Sequence, residues 1–317
     1  MPSWRIVLHV VDGPFPGPSM CAVAGCRAGW PGHPHVVADL SPSRPPWWGY
    51  AAAAWHAVAD DYSASTGGVC RHGLEPGSVL AAVLHDVGRG RFLSSFGPGF
   101  EDVPCVEWDY GSLRSCDISC SASAVDGDGD GDGDGDVAVW PLLDVQSLMC
   151  VSGRSSEPTV GVFYDPERDA RLAGVPEALC GRGFRVLESG SGPGPAARCG
   201  WTPRSPWSNA SACLSCVCPL SGRYPYSLAS CMACGRACVA LFDGPAGGHP
   251  LFGGLVRDGW SCLVARSAGE AADKALWLAS RPSDSARMGA RAVYSAMPHG
   301  RAPNLMRLME AVRRAAA

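Results

Sequence analysis

Cysteines are the residues of this chain whose type and spacing best fit a chemical role. Of the 16 cysteines, six lie between Cys213 and Cys238. Cys213 and Cys216 form one C-x-x-C pair, and Cys231 and Cys234 form a second pair after fourteen further residues. Four thiolates from two such turns can surround a tetrahedral zinc ion, with S–Zn bonds of about 2.3 Å. The spacing therefore predicts one structural zinc held by these four cysteines.

The predicted ligand set has alternatives in the same region. Cys199, Cys218, Cys238 and His249 are further groups that can replace one of the four ligands. Without a metal, the cysteines would be buried free thiols that pack as small apolar residues, or disulfides. A catalytic zinc fits less well, because the two pairs contain no His, Asp or Glu residue.

The composition limits the choice of function. The net charge is −4, whereas a dedicated nucleic-acid binder usually carries a strongly basic patch or stripe. The N-terminal residues lack the features of a signal peptide, and no stretch reaches the ~18 apolar residues of a membrane span. We therefore expect an intracellular protein whose thiols stay reduced.

An Asp-Gly repeat, Asp126–Asp136, divides the chain. Its like charges and lack of apolar side chains predict a disordered linker. It does not match a calcium loop, because Val137 stands where a bidentate Glu is required. We predict a β-rich N-terminal domain over residues 1–124, a linker over 125–137 and a cysteine-rich domain over 138–317.

The N-terminal domain is predicted mainly from runs of aliphatic residues. Trp4–Val11 is rich in β-branched residues and predicts a strand. Ser78–His85 and Arg91–Phe96 predict a hairpin around a glycine-containing turn, although a helix over Val79–Val87 stays open. Tyr50–Asp60 is rich in alanine and predicts a short helix.

The C-terminal domain is predicted to mix strands and helices. Apolar runs predict strands at Val137–Val151, Val160–Tyr164, Phe184–Leu187, Val239–Phe242 and Trp260–Ala265. Ala268–Ser280 has helical spacing, and a closing helix begins at Asn304 as its N-cap. The predicted fold class is α+β, with a zinc-stapled knuckle in the second domain.

Motifs of common enzymes are absent from the sequence. There is no GxxxxGK, GxSxG or HExxH motif, and Gly190–Gly194 lacks the third glycine of a dinucleotide fingerprint. The eight histidines are scattered, and His33 and His35 are interpreted as an exposed loop pair. These absences favour a binding or scaffolding protein without enzymatic activity.

Several segments together resemble one viral protein family. They are Trp4–Val7, Cys21–Arg27, the turn at Asp86–Arg91, the cluster from Cys213 to Cys238, His249–Gly253 and Ala292–Ser295. This set resembles the herpesvirus cytoplasmic envelopment protein 2 family, a cysteine-rich tegument protein. The Asp-Gly repeat departs from that family.

The resemblance implies a non-enzymatic adaptor that links capsids to membranes during cytoplasmic envelopment and egress. It implies binding to other tegument proteins, including a small lipidated one, and to glycoprotein tails and the capsid. Membrane association would be indirect, and no nucleic acid would be bound directly. The implied locations are the virion tegument, the host cytoplasm with Golgi-associated membranes, and the host nucleus. A thiol-based enzyme and a zinc-dependent nucleic-acid module are the alternative hypotheses.

Overall fold

The chain divides into two compact units in a computed structural model. The first unit comprises residues 1–123, 127–143 and 300–317, and the second comprises 124–126 and 144–299. The structure describes residues 5–12, 18–41, 55–56, 59–64, 74–109, 118–121, 137–138, 159–163, 172, 174–189, 210–221, 225–242 and 252–315. The Asp-Gly repeat lies outside the described residues, so its interpretation as a linker and the boundaries placed on either side of it stay predictions.

The first unit contains a seven-stranded sheet in which every strand pair is parallel. Its strands are β1 (Ile6–Val11), β2 (His35–Asp39), β3 (Asp61–Ala64), β4 (Val79–His85), β5 (Cys105–Asp109), β6 (Ile118–Ser121) and β7 (Val137–Ala138). The strand order is β3-β2-β1-β4-β5-β6-β7. The chain therefore moves outward from β1 in one direction and then in the other, as in doubly wound α/β folds.

Helices α1 (Pro18–Gly29) and α2 (Arg89–Phe96) connect strands of this sheet. Short 3-10 turns occupy Pro76–Ser78 and Pro98–Phe100. One face of the sheet packs Leu8, Val10 and Leu84 against Phe92 of α2. The opposite face packs Val11 and Val37 against Val23, Trp55 and Tyr62. The central strands are thus buried on both sides, which is the usual environment of parallel strands.

The second unit contains a five-stranded parallel sheet with the order β12-β11-β10-β8-β9. Its strands are β8 (Thr159–Phe163), β9 (Arg185–Ser189), β10 (Ser215–Leu220), β11 (Ala237–Phe242) and β12 (Leu263–Ala265). Its helices are α3 (Gly174–Cys180), α4 (Tyr226–Ala233), α5 (Ala268–Ala279) and α6 (Pro282–Ala296), and a 3-10 turn follows at Met297–His299. Small side chains of α5, such as Ala271 and Ala275, pack on Val217 and Val239 of the sheet.

The closing helix, α7 (Arg301–Ala315), belongs to the first unit. It contacts β5, β6, β7 and α1. Leu305 lies so close to the end of α1 that a Cβ placed on Gly29 would come within 1.8 Å of its Cδ2 atom. Among the helices in the described part of the chain, none is long and apolar enough to cross a bilayer.

The predicted fold class is wrong, because both units are α/β and their sheets are parallel. Parallel strands need long crossovers rather than hairpin turns. The predicted hairpin is accordingly half wrong: Val79–His85 is a strand, but Arg89–Phe96 is a helix. That helix forms because Phe92 and Phe96, four residues apart, share a face that also meets Phe100.

Other predicted elements are confirmed. The strands at Ile6–Val11, Thr159–Phe163, Arg185–Ser189, Ala237–Phe242 and Leu263–Ala265 and the helix Ala268–Ala279 lie where the sequence placed them. Asn304 is not an N-cap, because the helix begins at Arg301; its buried side chain donates to the carbonyl of Gly300 at 2.8 Å. Most of Tyr50–Asp60 and of Val137–Val151 lies outside the described residues.

Candidate functional site

The candidate sites lie at the carboxyl ends of the strands. In open parallel sheets, ligands bind outside these ends, at the point where the strand order reverses. In the first unit this point lies between β1 and β4, and in the second unit between β8 and β10. The residues that directly follow these four strands are therefore the first to consider.

Asp12 and Arg91 form an ion pair at the carboxyl edge of the first sheet. Asp12 directly follows β1, and Arg91 lies in the first turn of α2, which follows β4. Both guanidinium NH2 groups donate to the carboxylate, one of them to Oδ1 at 2.7 Å. Burial raises the pKa of the Asp12 carboxyl, although Arg91 opposes the rise and nearby Asp39 adds to it. A raised pKa makes a carboxylate a stronger proton acceptor.

Asp39, at the end of β2, extends this polar edge. It is fully buried, and its two oxygens accept hydrogen bonds from the Tyr62 hydroxyl at 3.0 Å and from the Ser41 backbone N–H at 2.9 Å. The Ser41 hydroxyl is buried, and its oxygen has no hydrogen-bond partner within the described residues. Asp39 is thus held rigidly beside the Asp12–Arg91 pair.

Glu107 holds the start of α2 in place. Its carboxylate accepts from the Arg89 backbone N–H at 2.8 Å, and this N–H belongs to the first turn of the helix, to which the N-cap residue Gly88 offers no side-chain bond. A carboxylate is stabilised there by the helix dipole. The Arg89 guanidinium in turn donates to the Glu101 carbonyl at 2.8 Å. This arrangement positions the turn that carries Arg91.

Three histidines form a hydrogen-bonded row across the same sheet. His9 Nε2 lies 3.0 Å from His35 Nδ1, and His9 Nδ1 lies 3.0 Å from His85 Nε2. They come from β1, β2 and β4, and His85 stacks on Trp108 of β5 at 5.7 Å between ring centroids. All three are buried, and burial lowers the pKa of each, that of His85 to about 3. The row is therefore uncharged at neutral pH.

The second unit presents a cation and a helix terminus at its carboxyl edge. Helix α4 follows β10, which is a switch-point strand, and its first turn has neither a side-chain cap nor an acidic residue. Uncapped N–H groups at a helix N-terminus favour phosphate groups. Arg266 directly follows β12, and its guanidinium carbon lies 5.4 Å from the ring centroid of Phe242, at the end of β11.

The four predicted zinc ligands lie in the core of the second unit rather than in exposed knuckles. Cys216 is on β10, Cys213 precedes that strand, Cys231 is on α4 and Cys234 ends α4. All four are buried, and hydrogen bonds link Cys216 to Cys213 and to Cys231. The structure thus brings these thiols into one layer between a strand and a helix.

The four cysteines of that layer are held as protonated thiols in the core. Burial contributes to a raised pKa at all four cysteines, to about 12 at Cys234 and far above the ordinary value at Cys216 and Cys231. In the described part of the chain, no group of three or more His, Cys, Asp or Glu side chains has an arrangement that could hold a metal ion. The zinc stays a prediction, and the geometry lends it no support.

Of the alternative ligands, two are in the same layer. Cys218 Sγ lies 3.8 Å from Cys231 Sγ, and Cys238 pairs in register with Cys216 on the neighbouring strand. Cys199 and His249 lie outside the described residues. Sequence reasoning missed the polar edge and the histidine row, and it placed His35 in an exposed loop although it is buried on β2.

No protein-family model matches the sequence. A search of curated proteins likewise finds no match. The likenesses are to solved structures, at low sequence identity. A crystal structure of the Anabaena protein HepE with UDP and glucose matches with a TM-score of 0.63, at 10% identity, over 98% of this chain and 100% of HepE. A glycosyltransferase from Rickettsia africae has a TM-score of 0.61, at 8% identity, over 98% of each chain.

A third structure with the same fold is a putative UDP-N-acetylglucosamine 2-epimerase from Listeria monocytogenes. Its TM-score is 0.57, at 10% identity, over 98% of this chain and 96% of the epimerase. The two parallel-sheet α/β units therefore have the GT-B glycosyltransferase fold.

This fold overturns the interpretation as a viral adaptor. The resemblance to the herpesvirus tegument family is wrong, because no family model supports it and the matching structures are of another kind. The prediction of a non-enzymatic adaptor for envelopment and egress is wrong for the same reason, since the matching structures include proteins named as a glycosyltransferase and as an epimerase. The alternative hypotheses of a thiol-based enzyme and a zinc-dependent nucleic-acid module also find no support.

Proposed function

We propose that this protein is a glycosyltransferase that uses a UDP-sugar as its donor. The observation that carries the proposal is the end-to-end match of its fold to HepE, whose structure contains UDP and glucose. A protein named as a glycosyltransferase matches over the same share of the chain. The residues of the two carboxyl edges supply chemistry that such a reaction needs.

The second unit is proposed to hold the nucleotide. The uncapped N-terminus of α4 offers backbone N–H groups to the diphosphate, at the strand next to the switch point. Arg266 adds a guanidinium at the same edge. The N-terminus of α5 is less suitable, because Ser267 caps it at 3.1 Å and Glu270 places a carboxylate in its first turn.

The first unit is proposed to activate the acceptor hydroxyl. The oxygen of the acceptor hydroxyl attacks the anomeric carbon of the donor sugar, and Asp12 takes the proton of that hydroxyl. The new glycosidic C–O bond forms as the bond from the anomeric carbon to the phosphate oxygen breaks. UDP then leaves with that electron pair. The raised pKa of Asp12 suits a general base, and Arg91 keeps the carboxylate oriented.

The test is a donor assay with the full chain. Purified protein would be titrated with UDP in a calorimeter and then incubated with UDP-glucose or UDP-N-acetylglucosamine and a panel of hydroxyl acceptors. We expect UDP binding that Arg266→Gln weakens about tenfold, since a charged hydrogen bond to phosphate is lost. Arg182→Gln is the matched control, because Arg182 pairs with Asp273 at the surface. Transfer should release UDP and yield a glycosylated acceptor.

Two outcomes would reject the proposal. Absence of UDP binding at millimolar concentration would remove its basis. Conversion of UDP-N-acetylglucosamine to an epimeric UDP-sugar without release of UDP would instead establish the activity for which the Listeria protein is named.

A further inference from the structure

A cavity of about 280 Å³ opens at the amino edge of the second sheet. Its wall includes Cys213 and Leu214, which precede β10, and Arg236, which precedes β11. The end of α5 and the start of α6 complete it, with Leu278 and Ser285 among the lining residues. The proposed nucleotide site uses the carboxyl ends of these strands, so the cavity lies at the opposite edge of the same unit.

Arg236 is the only charged side chain among the described residues that line this cavity. It is partly buried, and its Nε atom is fully buried without a hydrogen-bond partner in the described part of the chain. One guanidinium NH2 donates to the Cys213 carbonyl at a long 3.5 Å. No acidic side chain among the described residues forms an ion pair with it. Because Nε is enclosed by protein, an anion in the cavity would meet the terminal NH2 groups of this partly buried guanidinium.

Most of the remaining wall is apolar, and helix α6 packs closely against it. Leu214, Leu278, Pro282 and several alanines supply hydrocarbon surface. Helix α6 approaches so closely that a Cβ on Gly289 would lie 2.2 Å from the carbonyl oxygen of Gly235, the residue before Arg236. The first turn of α6 has no side-chain cap, but it carries the carboxylate of Asp284, so it adds no favourable potential for an anion. Its Asp284 is engaged by Arg287 at 2.5 Å.

From these contacts we propose that the cavity binds a small monocarboxylate with an apolar body. One guanidinium balances one negative charge, and the carboxylate geometry matches its planar fork. The volume corresponds to roughly nine water molecules at about 30 Å³ each, so a ligand with a similar number of heavy atoms fits inside it. An apolar body is required because most lining side chains are alkyl groups.

The probe is hexanoate, with hexanol and inorganic phosphate as comparison compounds. Binding would be followed by calorimetry and by two-dimensional NMR on the full chain. We expect saturable binding of hexanoate, and binding at least tenfold weaker for hexanol, which lacks the charge. Phosphate should bind more weakly than hexanoate because it leaves the apolar wall exposed to water. Equal or tighter binding of phosphate would overturn the assignment to a carboxylate.

Three variants test whether hexanoate binds in this cavity or is attracted by positive charge in general. Arg236→Gln should weaken hexanoate binding at least tenfold, whereas Arg182→Gln, at a surface position, should not change it. Ala286→Leu fills the cavity and keeps the charge, so it should also abolish binding; it decides the question if Arg236→Gln fails to fold. Unchanged affinity in a folded Ala286→Leu protein would overturn the proposal, as would no saturable binding to the wild type. UDP affinity, measured alongside, is expected to stay unchanged, which distinguishes this site from the proposed nucleotide site.

Discussion

The Nδ1 atom of His9 lies 3.0 Å from Nε2 of His85, in the interior of the first unit. This bond is the second link of a row, because His9 Nε2 also bonds to His35 Nδ1 and His35 Nε2 lies 3.3 Å from the Trp30 carbonyl. A carbonyl only accepts, so His35 Nε2 carries a proton and its Nδ1 accepts from His9. His9 Nδ1 then accepts from His85. One tautomer at each ring satisfies the whole row, with no net charge.

Acid should destabilise this protein through its buried histidines. Burial lowers the folded-state pKa of His9, His35, His85 and His299 below the unfolded value of about 6.5. As pH falls below 6.5, the unfolded chain binds protons that the folded chain does not. The free energy of unfolding is therefore highest above this pH. As the pH drops below it, the free energy of unfolding falls by up to about 1.4 kcal/mol per pH unit for each such histidine.

The measurement is urea unfolding between pH 7.5 and 5. The slope of the free energy of unfolding against pH reports how many more protons the unfolded chain binds than the folded chain. His85→Phe should lower this number by about one, because the pKa of His85 is lowered to about 3 in the folded protein. His56→Gln, at an exposed position, is the control and should leave the slope unchanged. A flat profile for the wild type would contradict the buried, uncharged row.

Replacing the central histidine should cost more than replacing an outer one. His9→Leu removes both bonds, so the Nε2 donor of His85 and the Nδ1 acceptor of His35 each lose a buried hydrogen bond. Each unsatisfied buried group costs about 1–3 kcal/mol. We expect the free energy of unfolding at pH 8 to fall by at least about 2 kcal/mol, and by less in His35→Leu, which breaks only one link between histidines. Equal losses would argue against a connected row.

The sequence predicts many of the strands but not how they pair. Runs such as Ile6–Val11 and Ala237–Phe242 are aliphatic on both faces, and this is the pattern of a strand buried between helices. Taken alone, each run indicates only a strand, so the turn after His85 suggests a hairpin. The helix that follows has few aliphatic residues, and its aromatic spacing becomes meaningful only once Phe100 is packed against it.

The candidate sites are harder to predict, because their residues are far apart in sequence. His9 and His85 are separated by 76 positions and meet only because β1 pairs with β4. Asp12 and Arg91 meet for the same reason. Local spacing is a strong signal only for the cysteines, and there it does not reveal the strand and the helix that carry them. Two C-x-x-C pairs look alike whether they form exposed knuckles or, as here, a strand packed on a helix.

The buried cysteines of the second unit should be unreactive in the folded protein. Cys216, Cys218 and Cys231 are buried, and burial raises the pKa of each, so almost no thiolate is present. Among the cysteines whose side chains the structure describes, Cys180 alone is exposed. Alkylation with iodoacetamide followed by peptide mass spectrometry should label Cys180 quickly and the buried three only after unfolding in guanidinium.

Fast labelling of native Cys216 would contradict a closed core. Metal analysis of the same sample tests the predicted zinc. About one zinc per chain with sulfur ligands would support it, and folded protein without metal would reject it.

Gly289 should not tolerate even a methyl group. A Cβ there would lie 2.2 Å from the backbone oxygen of Gly235, which cannot move aside as a flexible side chain could. Gly269, in the neighbouring helix α5, is the matched control, because a Cβ at that position would meet nothing within 4 Å among the described residues. Gly269→Ala should stabilise the protein by about 0.5–1 kcal/mol through helix propensity, whereas Gly289→Ala should destabilise it by about 1–3 kcal/mol. Thermal unfolding of both variants would show opposite shifts, and similar shifts would contradict the close approach of α6.

The rate of the proposed transfer reaction should depend on Asp12, and the pH dependence of that rate should depend on Arg91. Asp12→Asn removes the base and should lower kcat by about 10²–10⁴-fold. Asp273→Asn, which removes a carboxylate exposed at the surface, should have no effect.

The activity of the wild type should fall as pH drops through the pKa of Asp12, since only the carboxylate accepts a proton. Arg91 favours the charged form of Asp12, so Arg91→Gln should raise this pKa and move the acid limb of the pH–rate profile to higher pH. If the acid limb of Arg91→Gln moves to lower pH, or stays at the same pH while kcat falls, then Arg91 acts on the substrate and Asp12 is not the titrating base.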